Sequence, residues 1–176
     1  GHWKIDFTDK IFDDFGRLFT ISGPTGAGKT TILDAICLAL YARTPRQETV
    51  NKKGNEVMTW GETSCYSKVT FESNGKTYVC GWEQSYTRNK TLNDYKRSLF
   101  LIEDDGTQKN LGGTKKDLYN QIVKIIGLDF EQFTQAVLLP QGNFARYLSG
   151  ETKKQTEILE KLSGSEKYKK IEQKAH

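Results

Sequence analysis

Two hydrophobic periods divide the chain. Trp3, Ile5 and Phe7 alternate with polar neighbours, the pattern of a half-buried strand. Leu18 to Ile21 is a short apolar run halted by Ser22-Gly23-Pro24, which predicts a buried strand entering a loop. Beyond the loop, Ile32, Ile36 and Leu40 recur every fourth residue, with Leu33, Ala35 and Ala39 beside them. That spacing predicts a buried helix ending ahead of Thr44-Pro45. The period then drops to two through Cys65, Ser67, Val69 and Phe71, and resumes at Tyr78, Cys80 and Trp82 after Asn74-Gly75. Asn-Gly suits a two-residue hairpin because both central positions need positive φ. A further strand, Leu99 to Ile102, runs into a second turn signal at Asp105-Gly106.

Helical spacing returns after residue 114. Leu118, Ile122, Ile125 and Ile126 mark one amphipathic face, and Gly127 stops it. Asp129 is placed to cap a following helix, with Gln132 three residues on and Leu128 and Phe133 in the positions of a hydrophobic staple. Pro140-Gln141-Gly142 breaks the pattern. From Glu151 a charged helix is expected in two pieces, interrupted at Ser163-Gly164. Its seven lysines and five glutamates nearly cancel, as on a solvated face or at the start of a coiled coil. The fold class read from this order is α/β, a helix-backed strand followed by an antiparallel β portion. Domain limits fall at 1–150 for the main body and 151–176 for the helix beginning a coiled coil.

Composition changes the picture little. At 176 residues with 36% hydrophobic and 27% charged positions, the chain can build one proper core. A net charge of +4 permits an anionic partner without demanding one. Cys37, Cys65 and Cys80 are odd in number and widely spaced, which argues against a disulfide framework or a zinc site and for a reducing compartment. No apolar run approaches the length of a membrane span and no secretory leader opens the chain, so a cytoplasmic location and no membrane partner are expected.

The chemistry concentrates in Gly23-Pro24-Thr25-Gly26-Ala27-Gly28-Lys29-Thr30, which fits G-x-x-x-x-G-K-[ST] without a mismatch and sits between an apolar run and a helix. Glycines let such a loop curl its N–H groups toward phosphate oxygens, and the helix dipole adds positive potential. Lys29 is the expected partner of the β- and γ-phosphates. The Thr30 hydroxyl is the expected Mg²⁺ ligand, with Thr31 beside it. ATP and Mg²⁺ are therefore the expected cofactors.

Two other motifs are set aside. Leu99 to Asp104 looks like an apolar strand bearing the acids that hold Mg²⁺, but those acids run straight into a hairpin turn. Leu162-Ser163-Gly164-Ser165 is similar to an ABC signature, but Ser-Gly reads more simply as a helix interruption.

Residues 23–46, GPTGAGKTTILDAICLALYARTPR, closely resemble the N-terminal ATPase segment of the SbcC family, a DNA-repair branch of the SMC-like ABC ATPases. The resemblance continues through LDFEQFTQAVLLPQGNFARYL at Leu128 to Leu148, and through Leu159 to Ile171, so it covers nearly the whole chain. It implies a P-loop NTPase of ABC type, as the N-terminal lobe of a split head, with a C-terminal helix leading toward a coiled coil. By resemblance a strand would precede Gly1. The signature, Walker B acids and switch histidine would lie in a C-terminal lobe of the same protein. Gln141 carries over as the Q-loop glutamine, which completes the Mg²⁺ shell and senses the γ-phosphate. The implied partners are that lobe, a second copy of the head clamped by ATP, an SbcD-like nuclease and double-stranded DNA.

One stretch suits the last of these. Tyr86 to Lys116 holds Arg88, Lys90, Lys96, Arg97, Lys109, Lys115 and Lys116 against four acids. These cations are candidates to hold DNA phosphates without reading sequence. Two other functions remain open. A transporter ATPase would share the loop and the glutamine segment but reach its signature within about 60–100 residues, in a domain of ordinary size. A small nucleotide kinase would need an arginine-bearing lid and no such glutamine.

Overall fold

The structure, a computed structural model, describes residues 2–12, 20–46 and 55–138. They belong to two compact units, Gly1–Ile32 and Leu33–His176. In the first, residues 2–9 carry no regular structure, and a single 3-10 turn follows at Lys10–Phe12. The strand expected at Trp3, Ile5 and Phe7 is therefore not formed. Trp3 is 94% exposed, and Phe7 meets Phe12, with ring centroids 5.7 Å apart. An alternating segment becomes a strand only when a neighbour completes its hydrogen-bond ladder, and among the described residues it has none. Thr20 and Ile21 are likewise not in a strand, and Leu18 and Phe19 lie outside the described residues.

Helix α1, Lys29–Tyr41, opens directly from the glycine-rich loop. Its buried positions are Asp34 and Cys37 to Tyr41: of the expected residues Ala39 and Leu40 are buried, while Ile32, Leu33, Ala35 and Ile36 nearer the loop are half-buried. Asp34 is tolerated there because Arg46 donates to its Oδ2.

Four antiparallel strands follow in simple order: β1 Ser64–Ser73, β2 Lys76–Ser85, β3 Lys96–Ile102 and β4 Gln108–Asn110. The β1–β2 hairpin turns on Asn74 (φ 53°) and Gly75 (φ 70°), with Ser73 paired to Lys76. The second tight hairpin turns at Asp105-Gly106, where Gly106 N–H donates to the Glu103 carbonyl at 2.8 Å. Glu103 and Asp104 thus sit in an exposed turn of an antiparallel pair, as their sequence context implied.

Helix α2, Lys115–Ile126, starts in a reciprocal capping box between Thr114 and Asp117, and ends at Gly127 in the left-handed conformation. A short helix α3, Phe130–Phe133, carries a second box between Asp129 and Gln132, and a π turn, Thr134–Leu138, continues it. The main core joins Cys37, Leu40 and Tyr41 of α1 with Cys80 and Leu99 of the sheet, Leu118 and Ile122 of α2, and Leu128, Phe130 and Phe133. A smaller cluster holds Leu38, Ala42 and Trp82. Two strands also grip α1 through its backbone: the Ser67 hydroxyl donates to the Ala35 carbonyl at 2.6 Å, and the Arg97 guanidinium donates to the Leu40 carbonyl.

Candidate nucleotide site

The loop Gly23–Thr30 is built by local backbone rules. Ala27 N–H donates to the Pro24 carbonyl at 3.2 Å and Thr31 N–H to the Gly28 carbonyl at 3.0 Å, so the chain curls tightly into the first turn of α1. Gly26 and Gly28 take φ of 85° and 83°, which L-residues rarely adopt, and a Cβ on Gly26 would point into open space. Glycine is needed here for conformation rather than for room. The Lys29 ammonium reaches back across the loop and donates to the carbonyls of Gly23 and Pro24, each at 2.8 Å.

These donors fit a nucleotide triphosphate with a hard cation. Backbone N–H groups, one ammonium and the exposed Thr30 hydroxyl stand at a helix N-terminus. Among the described residues no group of three His, Cys, Asp or Glu could hold a metal alone. A Mg²⁺ that shares its ligands between one hydroxyl and phosphate oxygens needs none. Cys37 and Cys80 do not enter this chemistry. Burial, assisted by Asp34 beside Cys37, pushes both thiols up to about 12, so they stay protonated near neutrality.

Gln141 lies outside the described residues, as do the Ser163-Gly164 interruption and the helix expected from Glu151. The basic candidates do not form one surface. Arg97 faces the core side of the sheet, where it donates to the carbonyls of Leu40 and Lys115, and burial lowers its pKa. Lys115 pairs with Asp94 at 2.6 Å, its ammonium 3.7 Å from the Tyr95 ring centre. Lys109 pairs across the ladder with Leu101, so it leaves the sheet on the Leu99 side. Lys96 opposes Glu83 and leaves on the other, with that carboxylate at 3.4 Å. Exposed Arg88 and Lys90 lie in the β2–β3 connection beside Lys96, and exposed Lys116 follows Lys115 in the first turn of α2. Period-two alternation could have separated Lys96 from Lys109 beforehand. Nothing in sequence marked Arg97 as a helix-end ligand.

A curled phosphate loop feeding a helix that packs on an antiparallel sheet defines the class: an α/β P-loop NTPase domain, in the form of the N-terminal lobe of an ABC-type head. More specifically, the chain belongs to the AAA domain family, which it matches over residues 1–176. It is 35% identical over 192 residues to the SbcC component of the SbcCD nuclease of Pseudomonas aeruginosa, a match covering 100% of this chain and 16% of that protein. The same component from Deinococcus radiodurans is 37% identical over 158 residues, covering 89% of this chain and 17% of that one. A probable DNA double-strand break repair Rad50 ATPase of Aquifex aeolicus is 33% identical over 172 residues, covering 97% and 16%. The chain thus spans about a sixth of the length of these relatives. Among the described residues no helix is long and apolar enough to cross a membrane.

Proposed function

We propose that this chain is the ATP- and Mg²⁺-binding lobe of an SbcC-like ATPase that, with an SbcD-like nuclease, controls the processing of DNA ends. The observation that carries this is the phosphate loop, with Lys29 folded over it and Thr30 exposed beside it. Lys29 neutralises the β- and γ-phosphates and Thr30 ligates the cation. Bound Mg²⁺ would supply positive charge that offsets that of the phosphates, with Thr30 and Gln141 as the residues that would hold it. Gln141 completes the cation's shell and reports the γ-phosphate. The signature and the carboxylate that activates water belong to a C-terminal lobe, and two such heads close on ATP. The 176-residue chain alone therefore binds nucleotide weakly without turning it over. Steady hydrolysis by this chain, freed of contaminants, would sink that assignment and return Glu103 and Asp104 as candidates.

In the assembled head, Gln141→Ala slows hydrolysis while ATP affinity stays largely intact. Equilibrium binding measured beside turnover checks this, and an affinity loss as deep as that of a Lys29 variant would refute a sensing role.

Contact with DNA is the second part of the proposal. What supports it is a run of exposed cations leading into β3: Arg88, Lys90 and Lys96. Lys90→Glu combined with Lys96→Glu should weaken DNA binding for all sequences alike and flatten its salt dependence. Lys109→Glu, near the other end of the strand, should do neither. The measurement is a salt titration of DNA affinity on the ATP-bound head. An unchanged slope in the double variant places the contacts elsewhere.

A further inference from the structure

Among the described residues, the two core clusters draw on one face of the sheet only. Their strand residues are Cys65, Phe71, Tyr78, Cys80, Trp82 and Leu99, which the ladder places on the same side. On the opposite face, Lys68, Gly81 and Ser98 form one row across β1, β2 and β3. The middle of that row is low. Gly81 has no side chain, and a Cβ there would stand 2.6 Å from the Ser98 Oγ, so the floor admits nothing larger. Taller rows flank it, with Tyr66, Glu83 and Lys96 on one side and Val79 and Phe100 on the other. The result is a trough of about 440 Å³, a volume within the range of small-ligand sites.

The charges of the trough are sorted by position. Lys68 and Lys96 stand on β1 and β3, and Glu83 lies between them on β2. Lys96 pairs with Glu83 at 3.4 Å, but the two side chains are 80% and 60% exposed. Such a pair contributes little, so the ammonium can turn to an outside anion. A phosphate over the centre would meet the Glu83 carboxylate, whereas at either margin it would meet an ammonium. The amino group of a base suits that carboxylate, as cytosine suits an acidic side chain elsewhere. Tyr66, 60% exposed, stands beside Glu83 in the ladder and offers a ring on which a base can stack.

We infer that this trough holds an unpaired DNA strand, with a base stacked on Tyr66 and phosphates on Lys68 and Lys96. This rests on the reading that the chain meets DNA, and it adds the form of DNA that this face takes. A duplex keeps the faces of its bases stacked inside, so the ring and the acid would add nothing to its binding. An unpaired strand presents base and phosphate together, which matches an aromatic centre with cationic margins.

The test uses the full-length protein with a short oligodeoxythymidine and a blunt duplex. Tyr66→Ala should lower affinity for the oligomer about 5- to 150-fold, the loss of one stacked base, with duplex affinity within about twofold. Tyr66→Phe keeps the ring and should bind both probes as the parent protein does. Lys68→Ala should lower the salt slope of oligomer binding by about 0.7, the share of one phosphate on a single strand. Photocrosslinking with an oligomer carrying 5-iododeoxyuridine should attach it at Tyr66, as mapped by mass spectrometry. The inference is overturned if Tyr66→Ala holds the oligomer normally, if it loses oligomer and duplex alike, or if the crosslink falls outside the sheet. The duplex contact proposed above fails separately. A duplex salt slope unchanged by Lys90→Glu with Lys96→Glu, beside a Tyr66→Ala loss confined to the oligomer, removes that contact and leaves the trough.

Discussion

Lys29→Ala should lower the affinity of this chain for Mg·ATP by at least about 100-fold, measured by isothermal titration. Hydrogen bonds to charged groups contribute about 1.5–3 kcal/mol each, and the ammonium is assigned to two phosphates, so at least about 3 kcal/mol goes with it. Folding should be almost untouched. The bonds Lys29 makes within the chain go to the exposed carbonyls of Gly23 and Pro24, which water can satisfy once the ammonium is gone. Thr30→Ala separates the two halves of the site, because its loss of affinity should appear with Mg²⁺ present and vanish with EDTA. An alanine at position 29 that leaves affinity within about threefold would mean that the loop binds through its backbone alone, and the charge argument would be wrong.

Much of the fold was legible because local chemistry dictated it. Asn74-Gly75 needed two positive φ values and received them, and the Asp129 and Gln132 pair forms the reciprocal box its spacing implied. Gly127 ends α2 in the one conformation that glycine adopts without penalty. Each of these signals is decided within a few residues. The Trp3-Ile5-Phe7 alternation is a different kind of signal, since it states which side would be buried but supplies no partner to bury it against. Asp34 was illegible for the same reason. A carboxylate on a buried helix face depends on Arg46, twelve positions away, folding back to meet it.

The site divides along the same line. The conformation of the Gly23–Thr30 loop could be read whole, because it lies in consecutive backbone groups that one short motif specifies. The basic stretch could not, because counting charges between Tyr86 and Lys116 ignores which way each points. Arg97 is spent on the Leu40 carbonyl, and the ladder register sends Lys96 and Lys109 to opposite sides of the sheet. The π turn had no sequence signal at all.

Leu99→Ala should be among the most destabilising single substitutions in the sheet unit. Leu99 is 0% exposed, pairs with Cys80 at the centre of the ladder, and belongs to the cluster where α1 and α2 meet β3. Removing a buried leucine side chain costs about 2–5 kcal/mol, and the upper half of that range applies where neighbours cannot collapse into the gap. They cannot here. β2 and β3 are fixed by their ladder, α1 is tied to the sheet through Ser67 and Arg97, and Ser73 donates to the Ile125 carbonyl at the far end of α2. Urea unfolding should show the midpoint falling by about 2–2.5 M, given a slope of about 2 kcal/mol/M for a chain of this size. Tyr66→Ala, at a position 60% exposed on β1, should shift it little. A second readout comes from the thiols. Cys37 and Cys80 share the Leu99 cluster and are fully buried, so a thiol reagent reaches them only through opening of this unit. Their labelling in Leu99→Ala should accelerate in proportion to the lost stability. ATP affinity measured without denaturant should hold, because Leu99 packs against the C-terminal end of α1, while the loop is shaped by its own local bonds. A cost below about 1 kcal/mol would show that the helices can close over the missing side chain, and that the backbone ties on α1 do not fix its distance from the sheet.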